Sequence, residues 1–196
     1  MSFDIDIDTP SSFDPVSIFR DWTKASIVKD GQFRPHPCGV HPQSIARDPV
    51  TGLSAIPYEP AEDLGYFKID FLHLYVYDHF KSREEIEELL KIEPNWTLMK
   101  SPSVVKQLFQ LSKHYETVKA VSPKSVEEVA DTLALIRPGK RFLMDKYLQD
   151  KAAARKYLYA KLEGEQYSFK KAHAIAYALV IQLQLHLIDL GISFSS

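Results

Sequence analysis

Acidic residues at alternate positions open this chain, in the run Asp-Ile-Asp-Ile-Asp that starts at Asp4. Alternate side chains of a β-strand lie on one face, so Asp4, Asp6 and Asp8 are expected to lie together. Ile5 and Ile7 are then expected to enter the core. Neighbouring carboxylates repel each other, and a divalent cation offsets that repulsion. Carboxylate oxygens are hard ligands that suit Mg²⁺ or Mn²⁺.

A further aspartate, Asp70, lies in a second alternating segment, residues 66–74. Alternation places Lys68 and Asp70 on one face of this strand, and Phe67 and Phe71 on the other. If the two acidic strand faces meet, they can hold a metal ion jointly. Taken alone, such aspartates are also typical of exposed edge strands, where charge discourages aggregation.

The bulk composition is that of an ordinary globular chain. Its 196 residues are 45% apolar and 26% charged, with a net charge of -2, which argues against disorder. Because the net charge is slightly negative, any nucleic-acid contact must come from a local basic face. The single cysteine, Cys38, excludes an internal disulfide and a multi-cysteine zinc site, and it suits a reducing compartment.

Two features bear on the cellular location. The first residues are acidic, so we expect no signal peptide there. The apolar stretch Ala172–Leu190 is interrupted by polar residues, which favours a buried helix over a membrane span. We therefore expect a cytoplasmic protein without membrane contact.

The elements that must position the acids change in character after Asp78. Before it, turn signals stand at Asp30-Gly31, Thr51-Gly52 and Leu64-Gly65. Aromatic and β-branched residues between turns predict strands at 3–8, 53–57 and 66–74. After it, capping patterns and apolar periodicity predict five helices. These helices begin near Ser82, Ser101, Ser125, Phe142 and Phe169, and the fourth ends at about Leu162. We predict an α+β fold, with an acidic sheet region at 1–78 and a helical region at 79–196.

Short motifs follow one another along the chain in a distinctive order. The acidic run continues as Thr-Pro-Ser-Ser to residue 12. Residues 36–40 read His-Pro-Cys-Gly-Val, and residues 65–74 read Gly-Tyr-Phe-Lys-Ile-Asp-Phe-Leu-His-Leu. This order is similar to the palm of the C-family replicative polymerase, the alpha subunit of bacterial DNA polymerase III.

The helical region continues the resemblance into the fingers of that family. Leu-Phe-Gln-Leu stands at 108–111, Val-Ser-Pro-Lys-Ser at 121–125, and Ala-Leu-Ile-Arg-Pro-Gly at 134–139. The segment 167–177 resembles a final motif that usually reads Phe-Asn-Lys-Ser-His-Ala. Colinear matches over most of the chain are far more specific than any single motif.

The resemblance implies a role for each matching residue. It implies catalytic, metal-binding acids at Asp6, Asp8 and Asp70, with Mg²⁺ or Mn²⁺ as cofactor. It also implies nucleotide contacts from Lys68, Arg137, Lys171 and His173. The implied fold is a remnant of the nucleotidyltransferase palm of the polymerase-beta type, followed by a fingers-like module. The implied partners are a DNA primer-template, a nucleoside triphosphate and other replication proteins, in the host cytoplasm if the protein is viral.

Departures from the family keep other functions open. The chain has no Gly-Arg-Gly-Ser triphosphate segment before Asp4, and fewer residues than the family separate Asp8 from Asp70. One alternative is therefore a nucleic-acid-binding or replisome-interacting relative without catalytic activity. Another is a structural protein whose acidic strands are solvated edges.

Single residues also have simpler interpretations. Lys68 can form a salt bridge with Asp70, and Arg137 can cap helical carbonyls. His173 can be a hydrogen-bonded core histidine. His36, Cys38 and His41 match no strong zinc signature and fit a loop.

Overall fold

The computed structural model describes residues 5–161 and 169–194, so Asp4, Tyr167 and Ser168 of the predicted motifs lie outside it. The described residues are 48% helical and 16% strand, with one small mixed sheet among them, which confirms the predicted α+β class. It divides into two compact units, Met1–Lys81 and Ser82–Ser196. The division follows Lys81, where the sequence predicted it after Asp78.

Unit 1 (Met1–Lys81) contains a four-stranded sheet in the order β1-β4-β3-β2. Its strands are β1 (Ile5–Thr9), β2 (Thr23–Lys29), β3 (Gln32–His41) and β4 (Ile69–His73). β1 and β4 are parallel, whereas β4 with β3 and β3 with β2 are antiparallel. A parallel pair needs a long connection, and the β2–β3 hairpin lies within it. The connection also contains the short helices α1 (Pro15–Ile18) and α2 (Tyr58–Asp63).

The β2–β3 hairpin was not predicted from the sequence, although its turn was. Asp30 and Gly31 form the turn with φ angles of 53° and 71°, the left-handed backbone that a two-residue hairpin loop requires. Pro35 and Pro37 lie inside β3. Because proline cannot donate to a strand ladder, such residues argue against a strand in a sequence.

Two strand predictions in unit 1 are wrong. Residues 53–57 form no strand and take part only in isolated bridges through Ser54 and Pro57. Ile5 and Ile7 do not enter the core, since they are 38% and 40% exposed. β1 is an edge strand with one neighbour, so less of the molecule covers it than covers a central strand.

Unit 2 (Ser82–Ser196) is helical in its described part. Its α-helices are α3 (Arg83–Leu90), α4 (Pro102–Val105), α5 (Tyr115–Val121), α6 (Val126–Leu135), α7 (Met144–Gln149), α8 (Lys151–Leu158) and α9 (Lys171–Asp189). Short 3₁₀ helices are Trp96–Lys100 and Pro138–Leu143, and Tyr75–His79 in unit 1. The predicted serine caps are present. Ser82 accepts a hydrogen bond from the N–H of Glu85 at 3.3 Å, and Ser125 accepts one from that of Glu128 at 3.2 Å.

The predicted fourth helix is broken into separate pieces. A 3₁₀ helix precedes α7, and α7 ends before Asp150, whose backbone is extended at φ -147°. The Asp150 carboxylate accepts a hydrogen bond from the N–H of Ala153 at 3.0 Å and so begins α8. The predicted end of this helix at Leu162 lies outside the described residues.

A buried carboxylate fixes these pieces to α6. Asp131 is fully buried and accepts hydrogen bonds from the Tyr147 hydroxyl at 2.7 Å, Arg155 Nε at 2.7 Å and the Tyr159 hydroxyl at 2.8 Å. A buried charge is tolerated only when it is paired and hydrogen-bonded. Asp131 therefore holds α7, α8 and the residue after α8 in place.

Helix α9 is central to unit 2. It is long and apolar enough to cross a membrane by length and composition, but half of that window is buried within the protein. Its polar residues are used internally: Gln182 donates to the Ile92 carbonyl at 2.8 Å, and Gln184 accepts from the Phe109 N–H at 2.7 Å. These are the contacts of a core helix, as the sequence predicted.

Candidate functional site

The predicted acidic residues lie on neighbouring parallel strands of unit 1. In the register of β1 with β4, Asp6 is the direct partner of Asp70, and Asp8 is the partner of Leu72. Adjacent strands are about 4.8 Å apart and partners share a face of the sheet. Asp8 follows Asp6 on the same face by alternation. All three predicted acids therefore share one face of the β1–β4 pair.

Asp70 is the most enclosed part of this group. Its side chain is 14% exposed, and it forms an ion pair through Oδ2 with Lys68, whose side chain is 12% exposed. The other oxygen, Oδ1, is buried and has no hydrogen-bond partner within the described residues. Leaving a buried carboxylate oxygen unsatisfied is costly. Oδ1 is therefore the oxygen of Asp70 whose acceptor capacity is unused among the described residues.

The His-Pro-Cys-Gly-Val motif packs directly against Asp70, because Gly39 of β3 is the register partner of Asp70. His36 Nδ1 accepts a hydrogen bond from the Gly39 N–H at 2.8 Å and lies 3.7 Å from Asp70 Oδ1. A Cβ at Gly39 would lie 2.7 Å from His36 Nδ1 and 3.0 Å from Asp70 Oδ1. Only glycine fits between the histidine and the aspartate without displacing one of them.

The lowered pKa of His36 agrees with a ring that accepts the hydrogen bond from Gly39. Burial lowers its pKa, Asp70 opposes that shift, and Lys68 and Lys24 add to it. A neutral imidazole can accept a hydrogen bond at one ring nitrogen, as Nδ1 does here. His36 is therefore a neutral ring that supports the backbone beside Asp70.

His36, Cys38 and Asp70 have ligand atoms that all lie within 4.8 Å of one another. Within residues 5–161 and 169–194, they are the one such group of three His, Cys, Asp or Glu side chains, and it does not include Asp6 or Asp8. His36 Nδ1 accepts the Gly39 N–H, and burial, with a contribution from Asp70, raises the pKa of the Cys38 thiol to about 11. Because His36 supports the backbone beside Asp70, we interpret His36 and Cys38 as residues that position Asp70.

Two tyrosines that the sequence did not single out complete the surroundings of the acids. Burial and a hydrogen bond to the Asp8 carboxylate raise the pKa of Tyr77 to about 12. The Tyr58 ring lies 5.1 Å from the His36 ring, and Lys68 Nζ lies 5.3 Å from the Tyr58 ring centre. Neither tyrosine belongs to a motif or to an alternating acidic segment, so no sequence signal pointed to them.

The remaining predicted site residues, Arg137, Lys171 and His173, belong to unit 2. The Arg137 guanidinium lies 4.4 Å from the centre of the Phe169 ring and donates a hydrogen bond to the Gln110 side chain. Its Nε is buried and has no hydrogen-bond partner in the described part of the chain. Among the described residues, the hydrogen bond of the Arg137 side chain goes to the Gln110 side chain and not to a helical carbonyl.

Arg137 and His173 contact one aromatic group, whereas Lys171 does not. The His173 and Tyr177 rings are 5.9 Å apart, and the Tyr177 and Phe169 rings are 6.0 Å apart. Lys171 Nζ lies 3.1 Å from a carboxylate oxygen of Glu127, and the lysine side chain is 55% exposed. The fold thus gathers Arg137 and His173 around Phe169 and Tyr177, and it places Lys171 in a surface ion pair.

Comparison with known proteins adds no assignment. No protein-family model matches the chain, and no curated protein is significantly similar to it in sequence.

Proposed function

We propose that the protein is a metal-dependent nucleotidyltransferase similar to the alpha subunit of bacterial DNA polymerase III, acting on a DNA primer-template in the cytoplasm with other replication proteins. One observation carries this proposal: Asp6 is the direct neighbour of Asp70 in parallel strands, and Asp8 shares their face. The three acids come from segments far apart in the sequence. Their meeting on one face is a property of the fold that motif order alone does not require.

The donor chemistry supports a hard divalent cation. Asp6, Asp8 and Asp70 would hold Mg²⁺ or Mn²⁺ through carboxylate oxygens, which these ions prefer. The unsatisfied oxygen Asp70 Oδ1 and the close fit around Gly39 support an ion-binding role for that carboxylate. When bound, such ions stabilise the attacking and leaving oxygens of an in-line displacement at phosphorus.

The protein's own side chains would bind and orient the nucleotide. Arg137 offers a planar guanidinium, which binds phosphate oxygens through two parallel hydrogen bonds. Lys68 provides a second cation on the face of the acids, and His173 is a further donor in unit 2. In the reaction, the primer 3′ oxygen bonds to the α-phosphorus as the bond to pyrophosphate breaks. The hydroxyl proton passes to water.

Primer extension by the purified protein tests this function directly. We expect extension that requires Mg²⁺ or Mn²⁺ and that falls at least 100-fold in Asp70→Asn and in the double variant Asp6→Asn, Asp8→Asn. Asp63→Asn is the matched control, because Asp63 is an exposed acid in unit 1 outside the site. Full activity of the Asp70→Asn protein would contradict the proposal.

One observation favours the alternative of a DNA-binding relative without catalytic activity. Lys68 already forms an ion pair with Asp70, and that pair competes with a metal ion for the carboxylate. For a protein of this kind, we expect fluorescence anisotropy to show primer-template binding while primer extension is absent. Extension that is lost in Asp70→Asn excludes it.

A further inference from the structure

Among the residues that the structure describes, a group of cations in unit 2 has no acidic partner. None of its members forms an ion pair with any residue that the structure describes. The members are Lys113, His114, Arg137 and Arg141, and we call them the unpaired basic cluster. The other three members lie close enough to His114 to affect its pKa. Burial lowers that pKa most, and the charges of Arg141, Arg137 and Lys113 lower it further.

A second basic group in the same unit differs from it. Each of its members is paired with a carboxylate of α6. The pairs are Lys151 with Glu128, Arg155 with Glu127 and Asp131, and Lys171 with Glu127. These pairs fasten neighbouring helices to α6, so their charge is already balanced. The unpaired basic cluster has no such carboxylate partners among the described residues.

The unpaired basic cluster borders an open cavity of about 550 Å³. Lys113, His114 and Arg141 line it, together with the hydroxyl residues Ser112 and Thr117. Glu116 is the one acid among the described residues that line this cavity. The volume lies within the usual range of about 300–1,000 Å³ for small-molecule sites.

Arg141 is held so that donors remain available. Its Nε donates to the Ile136 carbonyl at 3.2 Å, which fixes the guanidinium and leaves its terminal N–H groups for a ligand. Arg137 is not among the residues that line the cavity; its guanidinium lies against Phe169, and its charge is felt at His114. Fixed guanidinium groups are well suited to bind phosphate oxygens.

We propose that this cavity binds the phosphate groups of a nucleotide or of a nucleic-acid strand. Several cations at one cavity favour an anion with more than one negative charge. The hydroxyl groups of Ser112 and Thr117 add hydrogen-bond donors for phosphate oxygens. Phosphates of a strand bind basic residues without regard to sequence and release counterions. The cavity is formed by residues of unit 2, and the proposal does not require that the three aspartates be catalytic.

Binding of two probes, inorganic tripolyphosphate and a single-stranded oligonucleotide, tests the proposal. Both are measured with EDTA present, so divalent ions at the aspartates do not contribute. We expect the double variant Lys113→Gln, Arg141→Gln to weaken at least one probe 10-fold or more. The control is Lys100→Gln, Lys119→Gln, which removes the same charge from lysines that form no ion pair with described residues. We expect it to change affinity less than 3-fold.

The two probes separate the two sources of phosphate. Loss of tripolyphosphate binding alone assigns the site to free nucleotide phosphates. Loss of oligonucleotide binding, with a salt dependence reduced by about 1.4 for two lost contacts, assigns it to a strand. Because Glu116 opposes an anion, Glu116→Gln is expected to strengthen binding of the same probe. Equal losses in the two double variants, or no binding by the unmodified protein, would overturn the proposal.

Discussion

Replacement of Gly39 by alanine tests whether the packing of β3 against β4 determines the position of Asp70. The added Cβ would lie 2.7 Å from His36 Nδ1 and 3.0 Å from Asp70 Oδ1, and a contact under 3.0 Å forces a neighbour to move. If His36 moves, the Gly39 N–H loses its acceptor, at a cost of about 1–3 kcal/mol. The stiffer unfolded chain offsets about 0.4–1 kcal/mol of that loss.

We therefore expect Gly39→Ala to lower the free energy of unfolding by about 1–2 kcal/mol. In a chain of this size, each kcal/mol corresponds to about 2–4 °C in the unfolding temperature. Urea unfolding followed by circular dichroism and thermal melting measure the two quantities. Because Asp70 Oδ1 is displaced as well, we also expect weaker Mn²⁺ binding by calorimetry.

A double-mutant cycle with His36→Ala provides the control. Removing the His36 side chain deletes two of the three atoms nearest to the new Cβ, so Gly39→Ala is expected to cost much less in that background. The coupling between the two substitutions measures the steric contact itself. An equal cost in both backgrounds would refute the argument, because the loss would then have nothing to do with the histidine.

Three further predictions concern single side chains. Lys68→Met is expected to tighten Mn²⁺ binding several-fold in calorimetry, because the ammonium group no longer competes for Asp70. Weaker binding would contradict this competition and would mean that Lys68 supports the ion site. The Cys38 thiolate, followed by absorbance at 240 nm, is expected to titrate at a pKa of about 11 and at a lower value in Asp70→Asn. Since its folded pKa is raised, the stability from the neutral thiol is present below about pH 8.5 and is lost as pH rises through about 11. Asp131→Ala is expected to cost about 3–5 kcal/mol in urea unfolding, because its buried donors lose their acceptor; the exposed Asp145→Ala serves as control, and equal effects would contradict the role of burial.

Alternation in the sequence predicted which side chains of the acidic strands share a face, and serine caps predicted where helices begin. Alternation did not predict that Asp6 is the register partner of Asp70 in the sheet. Register depends on which strands become neighbours, and β4 lies between β1 and the β2–β3 hairpin. That hairpin was hidden by Pro35 and Pro37, whose local preference the sheet overrides.

The support around Asp70 was partly visible in the sequence. The motif containing His36 and Gly39 was noted, but its role depends on a contact below 3 Å that no spacing rule reveals. Tyr77 carried no signal, since its contact with Asp8 requires the chain to turn back after β4. Local patterns predict elements and faces, whereas contacts between distant segments arise only from the assembled sheet.

The hydrogen bond from Gly39 to His36 makes the acidic site sensitive to acid. Its acceptor is a ring nitrogen that must carry no proton, and burial lowers the pKa of His36. Because the folded state resists protonation, the protein loses stability as pH falls from about 6.5 toward that lowered value. Once the ring is charged, it can no longer accept from the glycine, and it competes with any bound ion for Asp70. Buffers acidic enough to protonate His36 are therefore expected to weaken both the β3 backbone contact and the binding of a divalent ion at Asp70.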